Sequence, residues 1–397
     1  MYGMNLPEHW DVLSFMECLK KVKSKKKPSI PKTDYQESGK FPVIDQGASF
    51  IAGWTDSVES VISDNLPVVI FGDHTRIFKY VDFPFVLGAD GTQLFYPNDE
   101  VLDAHFFYYA LSNLNVPNKG YNRHYRYLRE FSVVCPPLSE QRAIANILQK
   151  IQEAKFTRQR EIALEREHKA ALMDYLFSHG TKDEPRKQTE VGEIPESWDV
   201  VRLEETATFT KKPRDLRYSE YNEIPFVSME LMPIAKLSSE EFLLKTNNEL
   251  KSGTYFEPGD ILLPKITPSF ENGKQCIIQE LPTPFGIATT EVIPIREVAS
   301  ISDKFFLFYY LLLPNVRISL AGKMQGTTGR QRLNKDSLVN LEIPLPSLSE
   351  QRAIANIFRS IDEKTAALER EVELIDELFH AMLEKLMTGK RSAMKHV

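Results

Sequence analysis

Clusters of basic side chains recur at matching places in the two halves of this 397-residue chain. Lysine and arginine neutralise phosphates, and arginine, asparagine and glutamine carry the groups that read base edges. The clusters therefore favour nucleic-acid binding, although a single lysine run is as typical of a solvated loop. The candidate phosphate contacts are Lys25, Lys26, Lys27, Lys211, Lys212 and Arg214, and the candidates for phosphates or base edges are Arg123, Arg126, Arg330 and Arg332.

Recognisable catalytic motifs are absent from the sequence. We find no Walker A sequence, no glycine-rich turn for a dinucleotide or methyl donor, and no amino-methyltransferase motif. Glu167-His168-Lys169 has the Glu-x-Lys spacing of nuclease sites, but without a partner acid it is interpreted as a solvated helical turn. His74 is interpreted as a turn histidine rather than a catalytic one. We therefore predict no catalytic residue, no metal and no cofactor.

The composition is that of an ordinary folded protein. Hydrophobic residues make up 42% and charged residues 26%, which argues against wholesale disorder. The net charge of −6 excludes a uniformly basic binder but permits a local basic face. Cys18, Cys135 and Cys276 lie far apart and fit reduced thiols. Because we find neither a secretory leader nor an apolar run of membrane-spanning length, we expect a cytoplasmic, multidomain protein with no membrane partner.

A long internal repeat organises the chain. The segment from Leu138 to Ile147 recurs without change from Leu348 to Ile357, 210 residues later. A weaker match joins the segments around Trp10 and Trp198, 188 residues apart. The chain is therefore two copies of one plan, with dissimilar sequences between these anchors. Identical segments indicate one task performed twice and dissimilar segments indicate two ligands, whereas duplication followed by neutral drift is the alternative.

Each copy of the repeated block opens a long predicted helix. Proline precedes the block, and Ser139 and Ser349 are suitable N-cap residues. No proline or glycine follows until Gly180 and Gly389, which are suitable C-terminal stops. About 40 residues with a rise of about 1.5 Å each give rods of about 60 Å.

The second rod has a coiled-coil pattern. Apolar residues recur every seven positions from Ile354 to Met382, beside a parallel row from Phe358 to Leu386. The first rod keeps part of this register but has Arg158 and Glu165 at intervening positions, which we interpret as a solvated face. Since neither rod alone buries its stripe, we predict that they pair, in antiparallel orientation because a domain must fit between them.

The segments before the rods contain short apolar runs separated by turn residues, a pattern typical of strands with a few short helices. The predicted fold class is α+β: two globular α+β domains separated by two long antiparallel coiled-coil helices, with an internal pseudo-twofold repeat. The predicted boundaries are 1–137 for domain 1, 138–180 for helix 1, 181–193 for a linker, 194–347 for domain 2, 348–389 for helix 2 and 390–397 for a tail.

These features together resemble the specificity subunit of type I restriction–modification enzymes over nearly the whole chain. The most specific marks are the paired Leu-Ser-Glu-Gln-Arg-Ala-Ile-Ala sequences at 138–145 and 348–355. The Pro-Glu-x-Trp openings that end at Trp10 and Trp198 are the next most specific. The Gly-Asp-Ile-Leu sequence at 259–262 and the segments 71–75 and 120–125 are also similar to the family's target-recognition domains.

The resemblance implies a non-catalytic subunit that binds double-stranded DNA. In the family each variable domain reads one half of a split sequence, so we expect an asymmetric, bipartite target. The long helices act as a spacer and dock two modification (methyltransferase) subunits, which restriction subunits then join. The identical blocks would present the same docking surface twice, and the candidate docking residues are Glu140, Gln141, Arg142, Glu350, Gln351 and Arg352.

Two other interpretations stay open at this point. The chain could be a coiled-coil adaptor whose two domains bind proteins and no DNA, in which case binding to random duplex would lack a steep salt dependence. It could also be a nuclease or methyltransferase in one polypeptide, which the missing motifs disfavour and which turnover by the isolated chain would support.

Overall fold

The computed structural model describes residues 6–22, 28–88, 91–118, 120, 124–237, 241–327 and 329–393. Its internal contacts divide the chain into two compact units. Unit 1 comprises Met1–Arg158 together with Glu371–Val397, and unit 2 comprises Gln159–Arg370. Each unit therefore contains one predicted domain and a part of each predicted rod.

Unit 1 begins with an α+β domain built from short strands. Its elements are β1 (Asp11–Ser14), β2 (Phe41–Ile44), β3 (Gly53–Thr55), β4 (Val61–Ile62), β5 (Val68–Gly72), β6 (Phe78–Val81), β7 (Phe85–Leu87), β8 (Thr92–Phe95), α1 (Ala104–Ser112), α2 (Tyr125–Leu128) and β9 (Ser132–Cys135). One sheet has the order β3-β2-β7-β4 and another the order β6-β5-β8, while β1 pairs antiparallel with β9. The helix α3 (Leu138–His179) follows and continues into unit 2.

The core of unit 1 joins the domain to both long helices. Every residue of β5 is buried, as expected for an apolar central strand. Its Phe71 belongs to a cluster that contains Phe106 of α1 and Ile144 at the start of α3. Leu386, near the end of the last helix, is fully buried in the same cluster. The helix ends are thus part of the domain's core.

Unit 2 repeats this plan with additional strands. Its elements are β10 (Arg186–Thr189), β11 (Gly192–Pro195), β12 (Asp199–Arg202), α4 (Leu203–Thr206), β13 (Ala207–Phe209), β14 (Ile224–Val227), β15 (Leu243–Lys245), β16 (Thr254–Phe256), β17 (Ile261–Pro264), β18 (Cys276–Ile277), β19 (Gly286–Ala288), β20 (Val292–Glu297), α5 (Lys304–Tyr310), α6 (Pro314–Ala321), β21 (Gln325–Thr327), β22 (Arg330–Arg332), α7 (Lys335–Val339) and β23 (Glu342–Leu345). The helix α8 (Leu348–Met387) begins in unit 2 and ends in unit 1. Two four-stranded sheets have the orders β13-β20-β17-β18 and β15-β14-β19-β16.

The core of unit 2 is built like that of unit 1. All four residues of β17 are buried, and Leu263 packs in a cluster with Phe308 of α5 and Phe358 of α8. Phe177, near the end of α3, stacks on Phe358 with 5.9 Å between ring centroids. Trp198, before β12, is fully buried in the same cluster. The repeated tryptophan therefore marks the place where each domain meets the helices.

The long helices run antiparallel within each unit, in the orientation predicted from the need to fit a domain between the rods. In unit 1 Lys155 of α3 pairs with Asp376 of α8, and Arg158 pairs with Glu371. In unit 2 Arg166 pairs with Glu369 and Lys169 pairs with Asp362, so within each unit residue numbers rise along α3 as they fall along α8. Together with the two α+β domains, these pairs confirm the predicted fold class.

Several charged residues of the long helices lie in a different environment from the one predicted. Arg158 and Glu165, which were expected on a solvated face, instead form ion pairs with the facing helix at Glu371 and Lys364. Lys169, which was assigned to a solvated turn, is only 15% exposed and lies 5.0 Å from the Tyr309 ring centroid. The sequence pattern showed how these residues are spaced along one helix, but it did not show which charges the facing helix places opposite them.

The helix ends also differ slightly from the prediction. The helices begin at Leu138 and Leu348, so Ser139 and Ser349 lie inside the first turn and are not the N-cap residues. Gly180 follows the end of α3 with a φ of +69°, a left-handed conformation that suits glycine. Residues 181–193, predicted as a linker, include β10 and the start of β11, which pair in an antiparallel hairpin.

Candidate nucleic-acid interface and docking surface

One edge of the β13-β20-β17-β18 sheet gathers the exposed polar segments of unit 2. Because β20 is antiparallel to both β13 and β17, the ends of β13 and β17 lie beside the start of β20. Backbone hydrogen bonds fix this edge: the N–H of Lys265 donates to the carbonyl of Glu291 at 2.8 Å. The N–H of Leu333 donates in turn to the carbonyl of Lys265 at 2.7 Å.

The hairpin of β21 and β22 extends from this edge into solvent. Its register pairs Gln325 with Arg332 and Thr327 with Arg330, and all four residues are exposed. Directly opposed residues in an antiparallel pair share a face, so an amide, a hydroxyl and two guanidinium groups lie together. A two-stranded ribbon can enter the major groove of B-DNA, and side chains of these types are able to bind base edges or phosphates.

The guanidinium of Arg332 is bound to a carboxylate of the same edge. Its Nε donates to Glu291 Oε2 at 2.9 Å and to Oε1 at 3.1 Å, and its Nη2 donates to Oε1 at 2.6 Å. The hydrogen bond from Arg332 holds the pKa of Glu291 below its ordinary value, so the carboxylate is ionised at neutral pH. Arg332 is thereby held in one orientation at the base of the ribbon.

The predicted lysine cluster follows β13 at the same edge. The N–H of Thr210 donates to the carbonyl of Pro294 in β20 at 3.3 Å, which holds the start of this segment. Lys211, Lys212 and Arg214 are exposed, as phosphate contacts must be. Lys212 Nζ lies 3.7 Å from the centroid of the Tyr218 ring. The structure thus brings Lys211, Lys212, Arg330 and Arg332 to one edge of the sheet.

Unit 1 has a comparable edge with a different reading element. The loop after β5 is held by Asp73, which is buried and whose N–H donates to the carbonyl of Gly91 at 2.7 Å. Asp73 Oδ1 accepts from the N–H of Tyr125 at 2.7 Å, so the carboxylate fixes the start of α2. Exposed Arg126 projects from this short helix and donates to the Tyr127 hydroxyl at 2.6 Å. The helix α2 corresponds to α7 of unit 2, because each lies just before the strand that leads into a long helix, whereas Arg330 and Arg332 of unit 2 lie on the β21–β22 ribbon.

Four of the predicted DNA contacts, Lys25, Lys26, Lys27 and Arg123, lie outside the described residues. Sequence reasoning missed Glu291, Gln325 and Thr327. The ribbon residues had a visible signal, since polar residues alternate on both sides of a Gly-x-x-Gly segment at 326–329. Glu291 had none, because only the fold brings it next to Arg332.

The repeated glutamines join each long helix to the domain before it. Gln141 Oε1 accepts from the N–H of Asp103, the N-cap residue of α1, at 2.8 Å. Its Nε2 donates to the carbonyls of Val101 at 2.9 Å and Pro136 at 2.7 Å. Gln351 makes the same set of bonds, with the N–H of Asp303 at 2.9 Å and the carbonyls of Ile301 at 3.1 Å and Pro346 at 2.9 Å.

The repeated glutamates are also buried and bound within the chain. Glu140 Oε2 accepts from Trp10 Nε1 at 3.0 Å. Glu350 Oε1 accepts from the N–H and the hydroxyl of Thr181, both at 3.0 Å, and its Oε2 accepts from Lys182 Nζ at 3.1 Å. Burial alone would raise the pKa of Glu350, but these hydrogen bonds outweigh it and lower the pKa. Four of the six predicted docking side chains thus have partners inside the chain.

The exposed part of the repeated block is a narrow stripe. Arg142 and Arg352 are exposed, and the serine before and the asparagine after each arginine lie on the same side of the helix at 139, 146, 349 and 356. The stripe Ser-x-x-Arg-x-x-x-Asn is therefore exposed in both units, and in unit 2 Ala353 and Ile357 beside it are exposed as well. The stripe is the exposed surface that the two identical blocks share.

Two kinds of feature are absent from the part of the chain that the structure describes. Within the parts of the chain that the structure covers, no group of three or more acidic, histidine or cysteine side chains is arranged to hold a metal ion. The same residues include no helix long and apolar enough to span a membrane. Burial raises the pKa of Cys18 and Cys276 to about 12, so neither thiol is a ready nucleophile.

Comparison with known proteins adds independent findings. The family model described as "Type I restriction modification DNA specificity domain" matches residues 7–166 and 195–378. The chain is 26% identical to the type I restriction enzyme MjaVIII specificity subunit of Methanocaldococcus jannaschii, over 98% of this chain and 95% of that protein. It is 33% identical over 180 residues to the EcoAI specificity subunit of Escherichia coli, covering 45% of this chain and 30% of that protein. Its fold is similar to that of the S subunit from M. genitalium, with a TM-score of 0.61, 18% identity and 97% of each chain covered.

Proposed function

The chain belongs to the type I restriction–modification DNA specificity family, and on this premise we propose that it reads an asymmetric, bipartite DNA sequence and docks two modification subunits. It supplies recognition and no catalysis. Methyl transfer belongs to the modification subunits, and restriction subunits join the same complex. The action is on double-stranded DNA in the cytoplasm.

The observation that carries this proposal is the contrast between the two units. Their helix joints are the same, with Gln141 and Gln351 making matching bonds. Their polar sheet edges differ, because Arg126 on α2 of unit 1 corresponds to Asp336 on α7 of unit 2, which presents Arg330 on the β21–β22 ribbon instead. One scaffold with two different reading elements fits a target whose two halves have different sequences.

The contacts divide into those that position the chain and those that specify sequence. Lys211, Lys212 and Arg214 suit phosphates, because they are exposed on an irregular segment rather than on an element that fits a groove. The outlying Lys25, Lys26 and Lys27 have the same assignment, by their position in the equivalent segment of the first copy. Arg126 and the ribbon arginines lie on regular elements that fit a groove, where each can contact a base edge or a flanking phosphate, and Arg123 has the same assignment by its place in the sequence just before α2.

Docking of the modification subunits is assigned to the exposed stripes. Arg142 and Arg352 would make the direct contacts, because each is exposed on an identical helical surface. Glu140, Gln141, Glu350 and Gln351 support the stripe from inside the chain by holding the start of each helix. Two identical stripes on one chain predict two identical partners.

Selection from a pool of randomised duplexes tests the recognition proposal. We expect the full chain with its modification subunit to enrich a split sequence whose two halves differ. Arg330→Ala combined with Arg332→Ala should weaken selection at one half and leave the other unchanged. Exchange of residues 1–137 for the corresponding domain of a relative should change the other half only. Equal losses at both halves in either variant would contradict modular reading.

The mass of the complex tests the docking proposal. We expect one chain to bind two modification subunits, and we expect Arg142→Glu or Arg352→Glu to reduce this to one. A stable one-to-one complex of the unaltered chain would contradict the proposal. If the chain binds no duplex at low salt, or binds it without a steep decrease on salt addition, the adaptor interpretation replaces DNA reading.

A further inference from the structure

We propose that Arg332 reads a guanine in the half-site of unit 2 and that Glu291 is the positioning residue that presents the Arg332 guanidinium to that base. The assignment rests on the proposed DNA-reading function and adds to it the identity of a base and of the two residues responsible. It gives the second domain a stronger guanine preference than an unrestrained arginine on the same ribbon would provide.

The geometry of the ion pair leaves the correct edge of the guanidinium available. Glu291 binds the side edge, formed by Nε and one N–H of Nη2. The end edge, formed by one hydrogen of Nη1 and the second hydrogen of Nη2, remains available. Guanine presents two adjacent acceptors in the major groove, O6 and N7, and a paired donor edge matches them. Arg332 can therefore bind Glu291 and guanine at the same time through different edges.

Both members of the pair lie on fixed backbone. Glu291 directly precedes β20, and its carbonyl accepts from the N–H of Lys265 at 2.8 Å. Arg332 is the last residue of β22 and forms a β-bridge with Ile266. Holding a long side chain in its bound orientation before the ligand arrives lowers the entropy cost of binding. Because the fold fixes the backbone of both Arg332 and Glu291, the guanidinium keeps one orientation and is suited to discriminate between bases.

Exposure and charge agree with a recognition role. The Arg332 side chain is 47% exposed and that of Glu291 is 21% exposed, so the arginine is the outer member of the pair. Arg330 shares its face of the ribbon, and none of the residues that the structure describes forms an ion pair with it. The Glu291 carboxylate lies within electrostatic range of Arg330 but is hydrogen-bonded to Arg332, so its repulsion of phosphates is strongest at Arg332 and Arg330 is the better placed of the two to contact a phosphate.

A second arginine–glutamate pair on β20 provides a matched control. Near the far end of the strand, Arg296 Nη1 donates to Glu257 Oε2 at 2.5 Å. Glu257→Gln removes a carboxylate charge from the turn after β16, at the end of β20 opposite Glu291, while Asp260 Oδ1 still accepts from Arg296 Nε at 2.7 Å. It reports any general effect of weakening an arginine–glutamate pair, because it leaves the ribbon unchanged.

The experiment compares base preferences of the full chain in complex with its modification subunit. Duplex selection is run on the unaltered chain, Arg332→Ala, Arg332→Lys, Glu291→Gln, Arg330→Ala and Glu257→Gln. We expect both Arg332 variants to lose about tenfold or more of the preference for guanine at one position of one half-site. Lysine fails here because it lacks the paired donor edge. Glu291→Gln should reduce the preference at the same position by a smaller factor.

The controls separate base reading from general affinity. Arg330→Ala should weaken binding to all sequences alike and reduce the slope of affinity against salt by about one. Glu257→Gln should leave every preference unchanged. The assignment is overturned if Arg332→Ala weakens all sequences uniformly, if Glu291→Gln leaves the guanine preference intact, or if Glu257→Gln alters the same position. An unaltered chain that enriches one half-site and not the other, or no sequence at all, refutes the proposed function instead, because modular reading has then failed in the parent protein.

Discussion

Replacing Gln351 with methionine removes three hydrogen bonds from the joint between the second domain and α8 while nearly preserving the volume of the side chain. The N–H of Asp303 and the carbonyl of Pro346 lose their partner inside the protein. Each buried group left unsatisfied costs about 1–3 kcal/mol. The carbonyl of Ile301 adds less, because Ile301 is 40% exposed and water can replace the amide. We therefore expect the free energy of unfolding of unit 2 to fall by about 2–5 kcal/mol.

Hydrogen exchange followed by mass spectrometry measures this loss in each unit separately, which a single denaturation curve of a two-unit chain does not. We expect faster exchange in peptides that cover the Asp303 amide and the start of α5, with unit 1 unaffected. Gln141→Met should give the mirrored result around Asp103. Arg352→Met, at the exposed neighbouring position, should change stability by no more than about 0.5 kcal/mol. A Gln351→Met protein whose unit 2 exchanges like the parent would refute the claim that the amide supports the joint.

Three further predictions concern charge. The pKa of Glu350 is lowered in the fold, so its contribution to stability is complete above the ordinary glutamate pKa of about 4.3 and is lost as the pH falls through the lower pKa of the folded protein. In urea titrations, the stability difference between the parent and Glu350→Gln should therefore shrink below about pH 5. A difference that stays constant with pH would contradict this. Lys212→Ala should reduce the slope of log DNA affinity against log salt concentration by about one, as measured by fluorescence anisotropy, and should leave the selected sequence unchanged. An altered sequence preference would count against a phosphate contact. Asp362→Asn should lower the free energy of unfolding by about 1–3 kcal/mol, because the carboxylate accepts from the Tyr309 hydroxyl at 2.7 Å and pairs with Lys169. A parallel Glu363→Gln variant, at the exposed next position, should change stability little. Equal losses of stability in the two variants would argue against the network of Asp362, Lys169 and the buried Tyr309.

The sequence was sufficient to predict the architecture because that architecture depends on periodic patterns. The seven-residue rows of α8 predicted a buried stripe, and Ile354 and Leu368 are indeed buried. The same argument failed for Lys169, since a period describes one helix and not the charges facing it. Asp362 on α8 faces this position, so Lys169 is largely buried in an ion pair instead of solvated.

The candidate site was only partly predictable, for a similar reason. Basic residue types and their positions before the rods indicated Arg330 and Arg332, because composition is visible in one dimension. The difference between them depends on Glu291, which is distant in sequence and adjacent only through the sheet. The identical sequences of the repeated blocks likewise did not reveal which side chains are buried. Gln141 and Arg142 were therefore both predicted to dock a partner, although Gln141 is buried and Arg142 is exposed.

The glutamine joints bear on how proteins of this plan can diverge. The Gln141 and Gln351 amides bind backbone atoms of the neighbouring domain, and every residue except proline supplies such an N–H and carbonyl. A domain can therefore replace nearly all of its side chains, or be exchanged by recombination between genes, and still fit the joint if an aspartate-capped helix begins at that place. Mutation of the glutamine itself has no such tolerance. Selection then preserves the first turns of each long helix while the adjoining domain evolves new specificities, which accounts for two unchanged ten-residue blocks beside strongly dissimilar neighbours.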